Sequence, residues 1–275
     1  MFLAQPLKAT YDVTTTVIKN FGMLLDFIRR DFRTRYVGSM LGGYWFFIHP
    51  IALILIYSVI FSSVMRVRFP QDLTEHAFGF TIFLCAGILP WTAFSEMLSR
   101  TTSIFRDQAN LIKKVYFPSE ILIFVATGSV AITFSISLFI LFVFFLIIGH
   151  PLSSALFYLP LLILLQMLFA SGLGMALAVL NVFFSDISQM LGIALQVWFW
   201  GTPIVYRLAQ LPESVQFLVK LNPFFYFTSL YQDILFSRLA PSWQNLATCA
   251  GVSLAFFCLG ASMLEHFKIQ LLDEI

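Results

Sequence analysis

Six stretches of this chain, residues 41–64, 77–98, 119–148, 154–180, 187–206 and 243–264, stay apolar long enough to cross a bilayer, and almost no charge falls inside them. A hydrocarbon core about 30 Å thick needs about 20 apolar residues in helical form. The expected fold is therefore all-α and integral to the membrane, with six transmembrane helices. Glu96 and Glu120 are the only acidic groups within the spans, each close to an end. Mid-membrane thus lacks the relay of ionisable groups that ion-coupled transport needs. Any energy source is expected to lie outside the chain.

Composition leaves little room for anything else. With 275 residues, 59% of them hydrophobic and 11% charged, and a mean hydropathy of +0.88, the chain reads as one membrane domain over 1–275. It divides into an N-terminal segment (1–40), the bundle (41–264) and a tail (265–275). A net charge of +2 is too small to suggest nucleic acid. Its distribution is more informative. If six spans follow a cytoplasmic N-terminus, eleven basic residues fall inside (Lys8, Lys19, Arg29, Arg30, Arg33, Arg35, Arg100, Arg106, Lys113, Lys114, Lys268) and five outside (Arg66, Arg68, Arg207, Lys220, Arg238). That bias places both termini in the cytoplasm. Residues 1–40 lack a short apolar run followed by a cleavage site, so the first span is expected to act as its own address. Cys85, Cys249 and Cys258 stand singly, without paired spacing or a nearby His. They read as small apolar packing residues, and no metal site is expected.

Ahead of the first span, Phe21, Leu24, Leu25, Ile28, Phe32 and Tyr36 recur at helical spacing opposite Asp26, Arg29, Arg30 and Arg33. This is an amphipathic helix suited to the cytoplasmic interface. Asp26/Arg30 and Asp31/Arg35 are acid-first pairs four apart. The cluster Arg29, Arg30, Arg33 and Arg35 either sets topology alone or contacts an anionic headgroup or a partner. Gly38, Gly42 and Gly43 open the first span at a spacing that permits close helix approach. Pro50 is expected to kink that span. His49, with no acidic partner expected at its depth, reads as a local hydrogen-bonding residue.

Two further segments stand out. Residues 100–118, with Arg100, Arg106, Asp107, Asn110, Leu111, Lys113 and Lys114, predict a short helix along the cytoplasmic face that offers a docking surface. Beyond the fifth span, Asn222 and Pro223 form a helix start, a capping side chain followed by proline at the first helical position. Phe224, Phe227, Leu230, Tyr231, Ile234 and Leu235 then repeat at helical spacing, with Thr228, Ser229, Gln232 and Asp233 between them. This run is too short to span. With a second short candidate at 213–221, it predicts re-entrant or interfacial helices forming an outer lid or gate, to which we assign Asn222, Pro223, Phe224, Phe227, Tyr231 and Asp233.

No phosphate-binding loop occurs: the glycines at 38–43 are followed by Tyr44 where lysine is required. Catalytic groups for a membrane enzyme would have to come from the sparse set Glu96, Glu120, His150, Asp186 and Asp233. Aromatic residues make up 17% of the chain. Most Phe are assigned to lipid or packing, while Tyr44, Trp45, Tyr57, Trp198 and Trp200 are candidates for lining a translocation path, or for interfacial belts.

These residues carry a resemblance. Leu41, Gly42, Trp45, Pro50, Tyr57 and Phe61 resemble the first membrane helix of type 2 ABC exporter permeases. Residues 114–121 (Lys-Val-Tyr-Phe-Pro-Ser-Glu-Ile), 181–189 (Asn-Val-Phe-Phe-Ser-Asp-Ile-Ser-Gln), 202–206 and 222–235 resemble the branch that exports O-antigen, capsule and teichoic acid. The likeness runs in order over nearly the whole chain. Ser185 and Gln232 depart from it, standing where the family commonly has basic residues. The resemblance implies a homodimeric permease in the bacterial inner membrane, with two copies of a cytoplasmic ABC ATPase that bind ATP and Mg. The chain itself would hold no cofactor and hydrolyse nothing. A lipid-linked glycan, on a carrier such as undecaprenyl diphosphate, would be the cargo. A drug or antibiotic exporter of the same fold is an alternative, as is a membrane-embedded transferase acting on lipid-linked sugar. Co-purification separates these, since an exporter should bring down an ATPase and a transferase should turn over substrate alone.

Overall fold

A computed structural model describes residues 4–35, 38–60, 78–114 and 117–274. The end of the first expected span at 61–64, Arg66, Arg68, Thr74, the start of the second span at Ala77, and Tyr36 lie outside the described residues. Within them the regular secondary structure is helical, and five helices are long and apolar enough to cross a membrane: 42–60, Gly79–Asp107, Glu120–Ile148, Ser154–Phe183 and Trp243–Leu271.

Two helices precede the bundle, α1 (Ala4–Lys19) and α2 (Phe21–Arg35). The expected amphipathic helix is α2, which buries Leu24 and Ile28 against Ile121 and Val125. A single 3-10 turn, Gly42–Tyr44, leads into α3 (Trp45–Tyr57), which runs through Pro50 without a break. Among the described residues nothing lies within 4 Å of where a Cβ on Gly38, Gly42 or Gly43 would sit, and Gly38 (φ +86) and Gly42 (φ +49) serve the turn. Next come α4 (Gly79–Asp107), α5 (Ala109–Lys114) and α6 (Glu120–Ile148). A left-handed Gly149 closes α6. Ser153 caps a 3-10 turn at Ser154–Tyr158 that enters α7 (Leu159–Phe183).

The expected fifth span is cut short. Helix α8 (Ile187–Trp200) has 14 residues, about 21 Å at 1.5 Å per residue, and residues 201–206 turn rather than continue it. Two short helices follow as expected, α9 (Glu213–Lys220) and α10 (Pro223–Gln232). The latter runs into one π turn, Asp233–Ser237, ended by Arg238 in the left-handed region. The last helix, α11 (Trp243–Glu274), absorbs nearly all of the tail expected at 265–275.

Packing centres on α4, α7 and α11. A Cβ on Gly172 would collide with the backbone of Phe257, and one on Gly260 with the carbonyl of Gly172. These two glycines let α7 and α11 meet backbone to backbone. The largest core cluster surrounds Phe94, Phe169, Phe224, Phe227 and Tyr231. Helix α10 therefore sits inside the protein and does not lie over it, which satisfies the backbone of a segment too short to span.

Candidate functional site

The features that can do work lie along α4, one group in the half toward Asp107 and the other from its middle toward Gly79. At the end that carries α2, α5, the start of α6 and the end of α11, which we call the basic end, four charged side chains form a closed network. Arg100 donates to Asp31 at 2.6 Å, while Arg35 pairs with Asp31 at 3.4 Å and with Glu96 at 3.3 Å. Arg35 also reaches the Thr133 hydroxyl and lies over the rings of Phe32 and Phe46. Helices α2, α3, α4 and α6 are thereby tied at one point. His49 of α3 interacts electrostatically with Glu96, so an acidic partner does exist at its depth.

This divides the predicted arginine cluster. Arg35 is committed inward, while Arg29, Arg30 and Arg33 stay exposed, Arg29 with Asp26 at 3.9 Å. The acid-first pair Asp31/Arg35 forms as the spacing suggests. Asp26 takes Arg29 rather than Arg30. A second clamp joins Lys268 near the end of α11 to Glu120, whose carboxylate is almost wholly buried at the start of α6, with Glu265 on the other side of the ammonium. The segment between these clamps is not the single surface helix expected over 100–118. It is the last two turns of α4 followed by the short α5. Arg106 donates to the Val182 carbonyl at the end of α7 and Asp107 accepts from Ser103. Asn110, Lys113 and Lys114 are exposed, and Leu111 lines a cleft of about 260 Å³ beside α2.

Around the middle of α4, where Trp91 and Phe94 meet Trp198 and Phe224, Asn222 is a hub. Its Oδ1 accepts from the Trp198 indole N–H at 2.7 Å and from the Phe224 N–H at 2.9 Å, and its Nδ2 donates to Thr202 at 2.8 Å and to the Gly201 carbonyl at 3.2 Å. The cap of α10 and the end of α8 are thus one unit, and Pro223 stands at the first turn as expected. Phe224 stacks on Phe94 and Phe227 on Phe169, with Trp91 edge-on to Phe224. Tyr231 is fully buried, as is Thr228, whose hydroxyl turns back to the Phe224 carbonyl. The polar face expected to meet water is therefore reduced to Ser229, Gln232 and Asp233, which line a small cavity.

The five candidate path aromatics are not brought together. Trp198 is held in the hub, Tyr57 is partly buried beside Cys85, and Tyr44, Trp45 and Trp200 are exposed. Sequence reasoning missed the inner role of Glu96 and the clamp at Lys268. The spacing of Glu96 and Arg100, four apart on one helix, was a usable signal for the first. Nothing local marked Glu120 and Lys268 as partners. Gln166, a lone amide in an apolar span, was also legible: it donates to the Pro90 carbonyl at 2.9 Å and fixes α7 against α4.

A helical bundle of this kind, with several helices long and apolar enough to cross a bilayer, defines a multi-pass membrane protein. The chain belongs to the ABC-2 type transporter family, which matches residues 25–236. Among similar proteins, the O-antigen export system permease protein RfbA of Myxococcus xanthus is 29% identical over 260 residues, covering 92% of this chain and 95% of that one. A protein of the same name from Klebsiella pneumoniae is 28% identical over 256 residues, covering 91% and 95%. The polysialic acid transport protein KpsM of Escherichia coli is 21% identical over 237 residues, covering 85% and 89%.

Proposed function

We propose that this chain is the membrane-spanning subunit of an ATP-driven exporter that moves a lipid-linked polysaccharide, of O-antigen, capsular or teichoic-acid type, outward across the bacterial inner membrane. The observation that carries the reading is the end-to-end match to export permeases whose names specify O-antigen or polysialic acid. In this reading α8 is a short fifth crossing, α2 lies in the cytoplasmic interface, α9 and α10 re-enter from outside, and both termini are cytoplasmic. Two subunits pair, and each carries a separate ATPase that binds ATP and Mg. The exposed apolar faces of α3 (Phe47, Ile51, Leu55) and α8 (Met190, Ile193, Val197) favour burial against lipid or a second copy. Glu96 and Glu120 are engaged in ion pairs at the basic end, which favours an external energy source. The exposed Lys113 and Lys114 on α5 supply docking charge.

The test is purification from the native membrane with mass spectrometry of co-eluting proteins. An ABC ATPase should co-elute, and ATP turnover should appear only in the complex. Hydrolysis by the isolated chain, or recovery without any ATPase, would overturn the reading.

A further inference from the structure

At the outer end, between the 203–208 segment, α10 and the π turn, lies a cavity of about 150 Å³. Tyr206 and Phe225 give it aromatic walls, and Ser229, Gln232, Asp233 and Arg207 give it polar ones. The Tyr206 hydroxyl donates to the Trp200 carbonyl at 2.8 Å, which holds the ring in place. Gln232 donates one amide hydrogen to the Pro203 carbonyl at 3.3 Å and keeps its oxygen. Among the described residues nothing donates to the Asp233 carboxylate, and the Ser229 hydroxyl has no partner.

A partly buried carboxylate without donors costs the fold free energy unless something else supplies them. The single carboxylate is too few oxygens for a hard metal ion, and Arg207 alongside disfavours a cationic ligand. Paired hydroxyl donors fit better: adjacent O–H groups give a carboxylate two short charge-assisted bonds, while their lone pairs accept from serine and arginine. Aromatic walls suit the apolar C–H face of a sugar ring. A space this small, well below the size of drug-sized sites, admits one ring and no more.

We propose that the cavity bounded by Tyr206, Phe225, Ser229, Gln232 and Asp233 is a subsite for a single pyranose residue of the outgoing glycan. The choice of glycan as ligand rests on the export reading above; the geometry of the cavity does not.

The full chain with its ATPase, in nanodiscs, is titrated with the methyl pyranosides of mannose, glucose, galactose and rhamnose and followed by saturation-transfer NMR. At least one should bind saturably. Asp233→Asn, nearly isosteric and relieved of an unpartnered charge, should fold as well as wild type yet weaken that binding by about tenfold or more, the scale of a lost charged hydrogen bond. Ser229→Ala should weaken it by less. Saturable binding of none of the four sugars, or binding unchanged in Asp233→Asn, overturns the subsite. Export in cells keeps the two readings apart. Normal glycan export in a strain lacking the chain would sink the exporter reading, whereas wild-type export rate and chain length in Asp233→Asn would sink the subsite alone.

Discussion

Asn222 shows how much one side chain can carry when all its hydrogen-bonding capacity is used. It caps α10, holds the indole of Trp198 and reaches the turn at Gly201 and Thr202. Asn222→Ala should lose about 1 kcal/mol for the cap, and about 1–3 kcal/mol more for the stranded indole N–H. Asn222→Asp, which keeps the acceptor but not the donors, should fall between; thermal midpoints of the three proteins check the order. At the basic end Lys268 neutralises a carboxylate that water barely reaches. Removing the half-exposed ammonium costs about 1–3 kcal/mol, because the Glu120 carboxylate is left buried without its partner. Lys268→Met should therefore destabilise, and the double variant Lys268→Met with Glu120→Gln should recover most of the loss. Equal stabilities of single and double variants would remove the pair's importance. The cap was legible in sequence, because Asn-Pro ahead of an apolar repeat is a local signal. The clamp was not, since its members are 148 positions apart and meet only once α6 and α11 have packed.

Elements were readable wherever periodicity and length agreed, and misjudged wherever tertiary contact decided. The apolar runs located the helices long enough to span, and α9 and α10 follow from short amphipathic repeats, but α1, with no apolar run to mark it, went unread. An apolar run of 20 residues at 187–206 became a helix of 14, because Thr202 and Gly201 turn toward Asn222 instead of continuing it. The docking segment shows the reverse error. Charge marked 100–118 as surface, yet Arg106 is a structural strap to α7, while the free cations sit on α5. This separates two effects that a combined substitution would merge. Reversing Lys113 and Lys114 to Glu should weaken ATPase association several-fold, measured by co-purification yield, without moving the thermal midpoint. Arg106→Ala should lower the midpoint first. Undiminished association in the lysine variant would shift docking to the exposed arginines of α2.

Taken whole, the molecule is organised along α4, which carries Glu96 and Arg100 in the half toward Asp107, Trp91 and Phe94 at its middle and Gly87 in the half toward Gly79. Gly87 keeps that helix close to the turn after α8 and to α10: a Cβ there would lie 3.0 Å from Ile204 and 3.2 Å from the Gln232 amide. The proposed orientation, with both termini cytoplasmic, is tested by labelling: cysteines placed at Ala109 and Glu274 should be shielded from an impermeant thiol reagent in intact cells, while one at Ser214 should react. Labelling of the first two would invert the topology. Whether α9 and α10 gate export or merely cap the bundle is a question of movement, because both roles need the same buried Phe224, Phe227 and Tyr231. Tyr231 is fully enclosed and unsuitable for a probe, whereas Lys220 on α9 and Ile60 beyond the end of α3 are exposed. Spin labels at those two positions should report a change in separation between the nucleotide-free and ATP-bound complexes if docking at the basic end is transmitted along α4. An unchanged distance, together with full export when a cross-link fixes α9 in place, would leave a static cap and confine the moving parts to α3 and α8.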